Sequence, residues 1–187
     1  MIVLTGASAS GKTETAKALY KLFNIKKFVT HTTRPMRVGE VQDSDYHFVT
    51  KEEFLRLKDE GAFIETTEYN HNYYGSSKAE MANDKVLIVE TTGARTFLNL
   101  NDPKLFVYRL ITSKKMRAKR MYERGDAPEV IKERLTNDVT RFADENFKDP
   151  RIIDVNTEKL SIDEVATYIY NDYQKRIENI QNKNSGN

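Results

Sequence analysis

Cysteine and tryptophan are both absent from the 187 residues. Without cysteine there is no disulfide framework and no zinc–thiolate site, so burial alone must hold the fold. Charge of one sign is lacking too: 30 Lys and Arg face 28 Asp and Glu, a net charge of +2. Such a balance gives no bulk electrostatic case for nucleic acid or a membrane surface. No run of about 18 apolar residues occurs, so no membrane span is expected. The first motif begins at Gly6, so no secretory leader is expected ahead of it. With 39% hydrophobic and 31% charged residues, the chain suits one domain with space for a small inserted lobe. A cytoplasmic enzyme is the expectation.

What is present begins at once. Gly6-Ala7-Ser8-Ala9-Ser10-Gly11-Lys12-Thr13 matches G-x-x-x-x-G-K-[ST] at every defined position. Ile2-Val3-Leu4 before it suits a buried strand, and the stretch after Lys12 carries helix formers with apolar residues at Ala16, Leu19, Tyr20 and Phe23. A strand feeding a glycine-rich turn and then a helix aims several backbone N–H groups at one anion, and the helix dipole favours it. In such a loop Lys12 reaches the β and γ phosphates of a nucleotide, and the Thr13 hydroxyl holds Mg²⁺. The loop predicts binding of a nucleoside triphosphate.

Strand-like and helix-like stretches then alternate. Strands are expected at Lys26–Thr30, Lys85–Glu90, Leu105–Ile111 and Ile152–Val155, and helices over 12–23, 51–60, 77–83, 93–100, 113–124, 128–145 and 161–181. Ser161 with Glu164 reads as a capping box. The alternation predicts an α/β fold with a mostly parallel central sheet and ligand at the carboxyl ends of its strands. Residues 31–84 break the rhythm. They are rich in Thr, Tyr, Glu and Gly, and Tyr46–Val49 and Ala62–Glu65 suit a small mixed sheet, hence an inserted lobe between core segments 1–30 and 85–187. Tyr122 to Pro128, with Gly125 as punctuation, lies between two basic helices and suits a mobile lid over about 122–134. Lys114, Lys115 and Lys119 fit a solvated face equally well. The tail from Asn182 to Asn187 is polar, and fraying is expected there.

Four further segments carry a resemblance: Thr30-His31-Thr32-Thr33-Arg34-Pro35-Met36-Arg37-Val38-Gly39-Glu40, Asp45-Tyr46-His47-Phe48-Val49, Phe63-Ile64-Glu65 and Asn72-Tyr73-Tyr74-Gly75-Ser76. In this order and spacing, with the loop in front and Arg120 to Gly125 behind, the chain resembles guanylate kinase from residue 1 to about 180. The resemblance implies a three-layer core, a monophosphate-binding lobe and a lid, with transfer of the ATP γ-phosphoryl group to GMP or dGMP in the presence of Mg²⁺. Partners would be these small molecules, with neither nucleic acid nor membrane, in a monomer or homodimer.

That likeness assigns Arg34, Arg37, Tyr46 and Tyr74 to the acceptor phosphate, and Thr30, Glu65, Ser76 and Glu90 to the base. The chemistry agrees. Arg34 and Arg37 can present guanidinium forks to a phosphate. The Glu65 carboxylate can accept both N1–H and the 2-amino group of guanine, while the Thr30 and Ser76 hydroxyls can donate to O6 or N7. Arg120, Arg124, Arg134 and Arg141 match positions that approach the triphosphate and the transferred group. Asn156 matches one beside the donor adenine, although a turn asparagine reads the same way.

One departure stands out. The family usually ends its third core strand D-x-D-x-x-G, where this chain has Ile88-Val89-Glu90-Thr91-Thr92-Gly93. Glu90 is left to serve the base, the hydrated Mg²⁺ or both. The change leaves room for a related kinase with another acceptor, such as a modified deoxynucleotide or a sugar phosphate. A non-catalytic interaction module is the remaining alternative, against which the intact Gly11-Lys12-Thr13 argues.

Overall fold

The computed structural model describes residues 1–69 and 71–185. A central strand β1 (Ile2–Thr5) leads through the loop into α1 (Lys12–Phe23), then β2 (Lys26–Lys27), β3 (His31–Thr32), β4 (His47–Phe48), α2 (Lys51–Asp59), β5 (Phe63–Tyr69) and β6 (Asn72–Ser77). After these come β7 (Lys85–Ile88), α3 (Thr91–Leu98), β8 (Phe106–Ile111), α4 (Lys114–Glu123), α5 (Pro128–Arg141), β9 (Ile152–Asn156) and α6 (Ile162–Ser185).

Five strands form a parallel sheet in the order β2-β7-β1-β8-β9. β1 is buried along its whole length and pairs on both edges, so its side chains sort by the strand's period of two. Ile2 and Leu4 pack with Leu19 of α1 and with Val165, Ala166 and Ile169 of α6. Met1 and Val3 pack on the opposite face with Ala94, Phe97 and Leu98 of α3. The connections from β1 and from β8 leave in opposite directions across the sheet, which opens a crevice at the strands' carboxyl ends.

Residues 31–77 supply a second, mixed sheet in the order β4-β3-β6-β5, with β3 and β4 parallel and the other pairs antiparallel. Phe54 of α2 is fully buried beneath it and stacks on Phe63 at 4.6 Å and on Tyr73 at 5.5 Å between ring centroids. These rings are the small core of this part.

Local chemistry explains most helix ends. Ser161 and Glu164 exchange backbone-to-side-chain bonds of 2.7 and 3.2 Å at the start of α6, and Ser113 Oγ caps α4 by accepting from Met116 N. Pro128 opens α5, where its missing N–H is harmless.

Several expectations are corrected. The helix expected over 77–83 is only a 3₁₀ turn at Lys78–Glu80, because Met81 is already extended. The helix expected over 128–145 ends at Arg141, and a separate 3₁₀ turn covers Asp144–Phe147, stacking Phe147 on Phe142. The strand expected over Lys26–Thr30 pairs only at Lys26–Lys27, and β6 runs through a segment noted only as a motif. Of the tail expected to fray, Asn182 to Ser185 continues α6, while Gly186 and Asn187 lie outside the described residues.

Leu19, with no exposed surface, ties α1 to the sheet and to α6. Leu19→Ala should destabilise the fold by about 2–5 kcal/mol through lost burial and the cavity left behind. Denaturant unfolding measures it, and a loss under about 1 kcal/mol would mean the α1–α6 layer is not tightly packed.

Candidate active site

Every carbonyl of the loop after β1 has a hydrogen-bond donor. Lys12 Nζ donates to Gly6 O at 2.6 Å and Ala7 O at 3.1 Å. Arg117 Nη1 reaches Ser8 O at 3.5 Å, Arg120 Nη1 donates to Ala9 O at 3.3 Å, and Thr157 Oγ1 to Ser10 O at 3.1 Å. Gly11 O accepts from Thr15 N within α1. With the carbonyls engaged, the amides that helix geometry leaves unpaired at the start of α1, those of Lys12 and Thr13, are not capped by any side chain. An open helix start with its dipole is an anion site.

Glycine is required at both ends of this loop. Gly6 sits at φ 143°, and a Cβ there would lie 2.6 Å from Leu110 O. Gly11, at φ 104°, is the αL residue from which α1 starts. Between them Ala9 takes φ 60°, a left-handed conformation that a non-glycine residue adopts only where its surroundings hold it.

The loop forms one wall of a cavity of about 320 Å³ whose lining includes Gly6, Ser8, Lys12, Glu90, Arg134 and Arg141. Burial pulls the Lys12 ammonium down to about 8, with Asp138 and Glu90 acting in the opposite sense. Arg134 and Arg141 lie on the crevice face of α5. Arg134 Nη1 donates to Asp126 Oδ2 at 2.9 Å, and Arg124 holds the same carboxylate with both arms at 2.9 and 2.6 Å. Arg141 stands 3.6 Å from Glu90 in an exposed pair. Arg120 is less free than its lid assignment implies, since its second arm donates to Thr157 O at 3.1 Å. Asn156 ends β9 outside both cavities and accepts from Glu158 N, the local turn that its sequence context equally allowed.

A second cavity, about 400 Å³, opens between the two sheets and brings together Thr30, Glu65, Tyr74, Ser76 and Glu90. Glu65 and Ser76 face each other in register across β5 and β6, and the Ser76 hydroxyl donates to Glu65 Oε1 at 3.2 Å. Burial raises the Glu65 carboxyl above its ordinary value, with the Ser76 bond opposing. Tyr74 leads out of this cavity toward Tyr46, ring centroids 6.1 Å apart, and Arg34 lies over the Tyr46 ring at 5.5 Å. Arg34 forms a two-armed pair with Glu40 at 2.6 and 3.0 Å, and Glu40 also accepts from Arg37 N. The Arg37 guanidinium is exposed and in no ion pair among the described residues.

The two cavities meet at the end of β7: Ile88, Val89 and Glu90 line both. One strand end therefore separates an anion site from a pocket with a half-buried carboxylate. Sequence reading missed three participants, namely Arg117, Asp138 and Asp126. For Asp138 a signal existed, because 134, 138 and 141 share one helical face.

A family model described as guanylate kinase matches residues 1–172. The guanylate kinase of Legionella pneumophila (strain Lens) is 30% identical over 191 residues, covering 98% of this chain and 90% of that one. That of Nitratidesulfovibrio vulgaris is 33% identical over 177 residues, covering 90% and 86%. The crystal structure of guanylate kinase from Anaplasma phagocytophilum superposes with a TM-score of 0.66 at 25% identity, covering 94% of this chain and 84% of that one. The chain belongs to the guanylate kinase family. It is an ATP-dependent kinase that phosphorylates GMP, on the α/β fold with a mostly parallel five-stranded sheet. No helix among the described residues of this guanylate kinase is long and apolar enough to cross a membrane.

Gly93 of α3 closes the second cavity. A Cβ there would meet Val89 Cβ at 2.9 Å and Glu65 Oε2 at 3.3 Å. Gly93→Ala gains helix propensity of about 1 kcal/mol, yet overpacking of about 1–3 kcal/mol outweighs it. We expect a lower Tm and a GMP KM raised by roughly 10-fold, as a displaced polar contact would produce, with the ATP KM within about three-fold. An unchanged GMP KM would remove α3 from the wall of the acceptor pocket.

Proposed function

We propose that the enzyme holds the triphosphate of Mg·ATP in the phosphate loop and GMP or dGMP in the Glu65 pocket, and transfers the γ-phosphoryl group across the end of β7. The observation that carries this reading is the shared lining of the two cavities at Ile88, Val89 and Glu90. Two substrates that exchange a phosphoryl group must lie end to end, and adjoining cavities allow it. Consumption of ATP and GMP fits a cytoplasmic setting.

The acceptor oxygen is already anionic, so the reaction needs no general base. It needs positive charge to hold two polyanions together and to stabilise charge spreading in the transition state. Lys12, with the amides of Gly6 to Thr13, serves the donor phosphates. Arg34 and Arg37, with the Tyr46 and Tyr74 hydroxyls, serve the acceptor phosphate. Arg120, Arg124, Arg134 and Arg141 approach the transferred group from the lid side, residues 122–134 being the segment that closes. Asn156 serves the adenine. Residues 31–84 act as the acceptor-binding lobe on the core of 1–30 and 85–187.

Mg²⁺ would neutralise phosphate charge when bound. The Thr13 hydroxyl, exposed in the first turn of α1, would hold it together with phosphate and water oxygens, and Glu90 is one of two carboxylates, with Asp138, that line the donor cavity.

Arg34 and Arg124 are held by Glu40 and by Asp126, which also pairs with Arg134. A phosphate offers the same acceptor geometry with more charge, so binding exchanges the partners of Arg34 and Arg124, while Arg37 has no ion pair to give up among the described residues.

A coupled ADP-release assay with GMP, dGMP, AMP, CMP, UMP and dTMP tests the acceptor. Guanine nucleotides should lead AMP by roughly 10⁴-fold, because a site built around substrate donors rejects an analogue lacking them. Lys12→Ala should lower kcat by on the order of 10³-fold with the fold intact, the scale of losing a main electrostatic contact. Near-normal turnover in that variant would show that the phosphate cradle has been misread.

Glu65→Gln keeps the shape of the side chain and removes the charge. It should lose GMP activity and narrow the gap to AMP, and an unchanged GMP/AMP ratio would mean Glu65 does not read the base. Stability should move the other way. Because the folded-state value is raised above the ordinary 4.5, the native protein binds the proton more tightly than the unfolded chain. The wild type therefore loses stability as pH rises from 4.5 through the folded-state value, and the loss is complete above it. Ligand-free Glu65→Gln should melt higher than wild type at pH 7, with the difference gone below pH 4.5. A lower Tm at pH 7 would mean the ionised carboxylate is stabilised in the free enzyme.

A further inference from the structure

One charged contact at the donor cavity has no counterpart in the roles above. Asp138 Oδ2 accepts from Ser8 N at 2.9 Å and from Arg117 Nη1 at 2.6 Å. Both side chains are buried, with 9% of Arg117 and 7% of Asp138 exposed. Arg117 Nη1 also reaches Ser8 O, so the pair grips Ser8 on both sides. The three residues come from three elements: Ser8 from the loop, Arg117 from α4 and Asp138 from α5. Asp138 lies between Arg134 and Arg141 at i+4 and i+7, and all three line the donor cavity beside Lys12.

A buried ion pair is poorly explained by stability, since well-packed apolar residues of similar volume usually do as well or better. What an apolar pair cannot do is accept the Ser8 N–H. We infer that Asp138, held by Arg117, is a positioning residue: it sets the distance between the phosphate loop and the α5 face that carries Arg134 and Arg141. The tie makes one rigid unit of the part that cradles the donor phosphates and the part that brings guanidinium groups to the transferred one. Without it each half still forms, but their register is loose. Misplacement by about 1 Å can lower a rate by on the order of 10²-fold while binding survives. The inference rests on reading this cavity as the donor site, which Lys12→Ala tests separately.

The experiment is steady-state kinetics with thermal melts on the double variant Arg117→Leu/Asp138→Ala, which replaces the pair by apolar groups and leaves no buried charge. The expected result is a cooperative melt near wild type, kcat reduced by roughly 30- to 100-fold, and KM for ATP and GMP within about three-fold. A double variant with wild-type kcat would overturn the inference and leave the pair a structural one. If the double variant does not fold, Asp138→Asn and Asp138→Ala decide the matter. Asn keeps an acceptor for Ser8 N, so its kcat should exceed that of Asp138→Ala by about 10-fold, the scale of one retained hydrogen bond. Equal losses in the two would overturn the inference, since the Ser8 tie would then contribute nothing.

Discussion

The site depends on a phosphate loop whose carbonyl oxygens all have hydrogen-bond donors. A peptide offers a donor and an acceptor on opposite sides, so aiming amides at a phosphate obliges the carbonyls to find partners elsewhere. Here the partners come from four places: Lys12 in the loop itself, Arg117 and Arg120 on α4, Thr157 after β9, and Thr15 within α1. β8 sets the remaining boundary, because Leu110 O lies where a side chain on Gly6 would be. The order of strands in the sheet is therefore part of the chemistry. β1 must lie beside β8, and β9 beyond it, for these groups to converge on one turn.

Charge in the free protein is arranged on the same logic. Most of the arginines that face a phosphate site have a carboxylate: Arg34 has Glu40, Arg124 and Arg134 share Asp126, and Arg141 has Glu90. The Arg141–Glu90 pair and the arginine sides of the Asp126 pairs are exposed enough to contribute little to stability, whereas the two-armed Arg34–Glu40 pair is largely covered. The effect of these pairs is to keep several like charges from repelling one another around the crevice. They also orient guanidinium planes before substrate arrives. Arg117 differs in kind, because its pair with Asp138 is buried and includes a loop amide.

The fold was largely legible in the sequence, and the reason is local. A β-branched run, a glycine-rich turn and a helix with apolar spacing determine β1, the loop and α1 with little help from the rest of the chain. Ser161 and Glu164 mark the start of α6 because capping is a contact between near neighbours. Legibility fails where long-range pairing decides. β6 is a strand because β3 and β5 lie on either side of it, not because Asn72-Tyr73-Tyr74-Gly75 favours one. The site divides the same way. Gly6 to Thr13, Arg34 and Glu65 stand in recognisable local patterns, whereas the tie of Asp138 to Ser8 spans 130 positions and leaves only a helical spacing as its trace.

Function and stability oppose each other most clearly at Glu65. Its carboxylate is buried deeply enough for its affinity for the proton to rise, yet among the described residues the Ser76 hydroxyl is its one side-chain donor. A half-satisfied buried charge is unfavourable in the free protein. On the proposed reading, guanine's N1–H and 2-amino group would supply further donors, and the base would complete a network the protein leaves open. The deficit would then be the source of selectivity. Adenine brings a bare acceptor to the same place and leaves the carboxylate worse off than water would. Ile88 and Glu90 alter the floor of this pocket by putting an apolar side chain at the strand end and leaving Glu90 to pair with Arg141. They leave the Glu65–Ser76 wall intact. On the proposed reading, discrimination between bases belongs to the β5–β6 pair, and the altered strand end, which lines both cavities, bears on the passage between acceptor and donor.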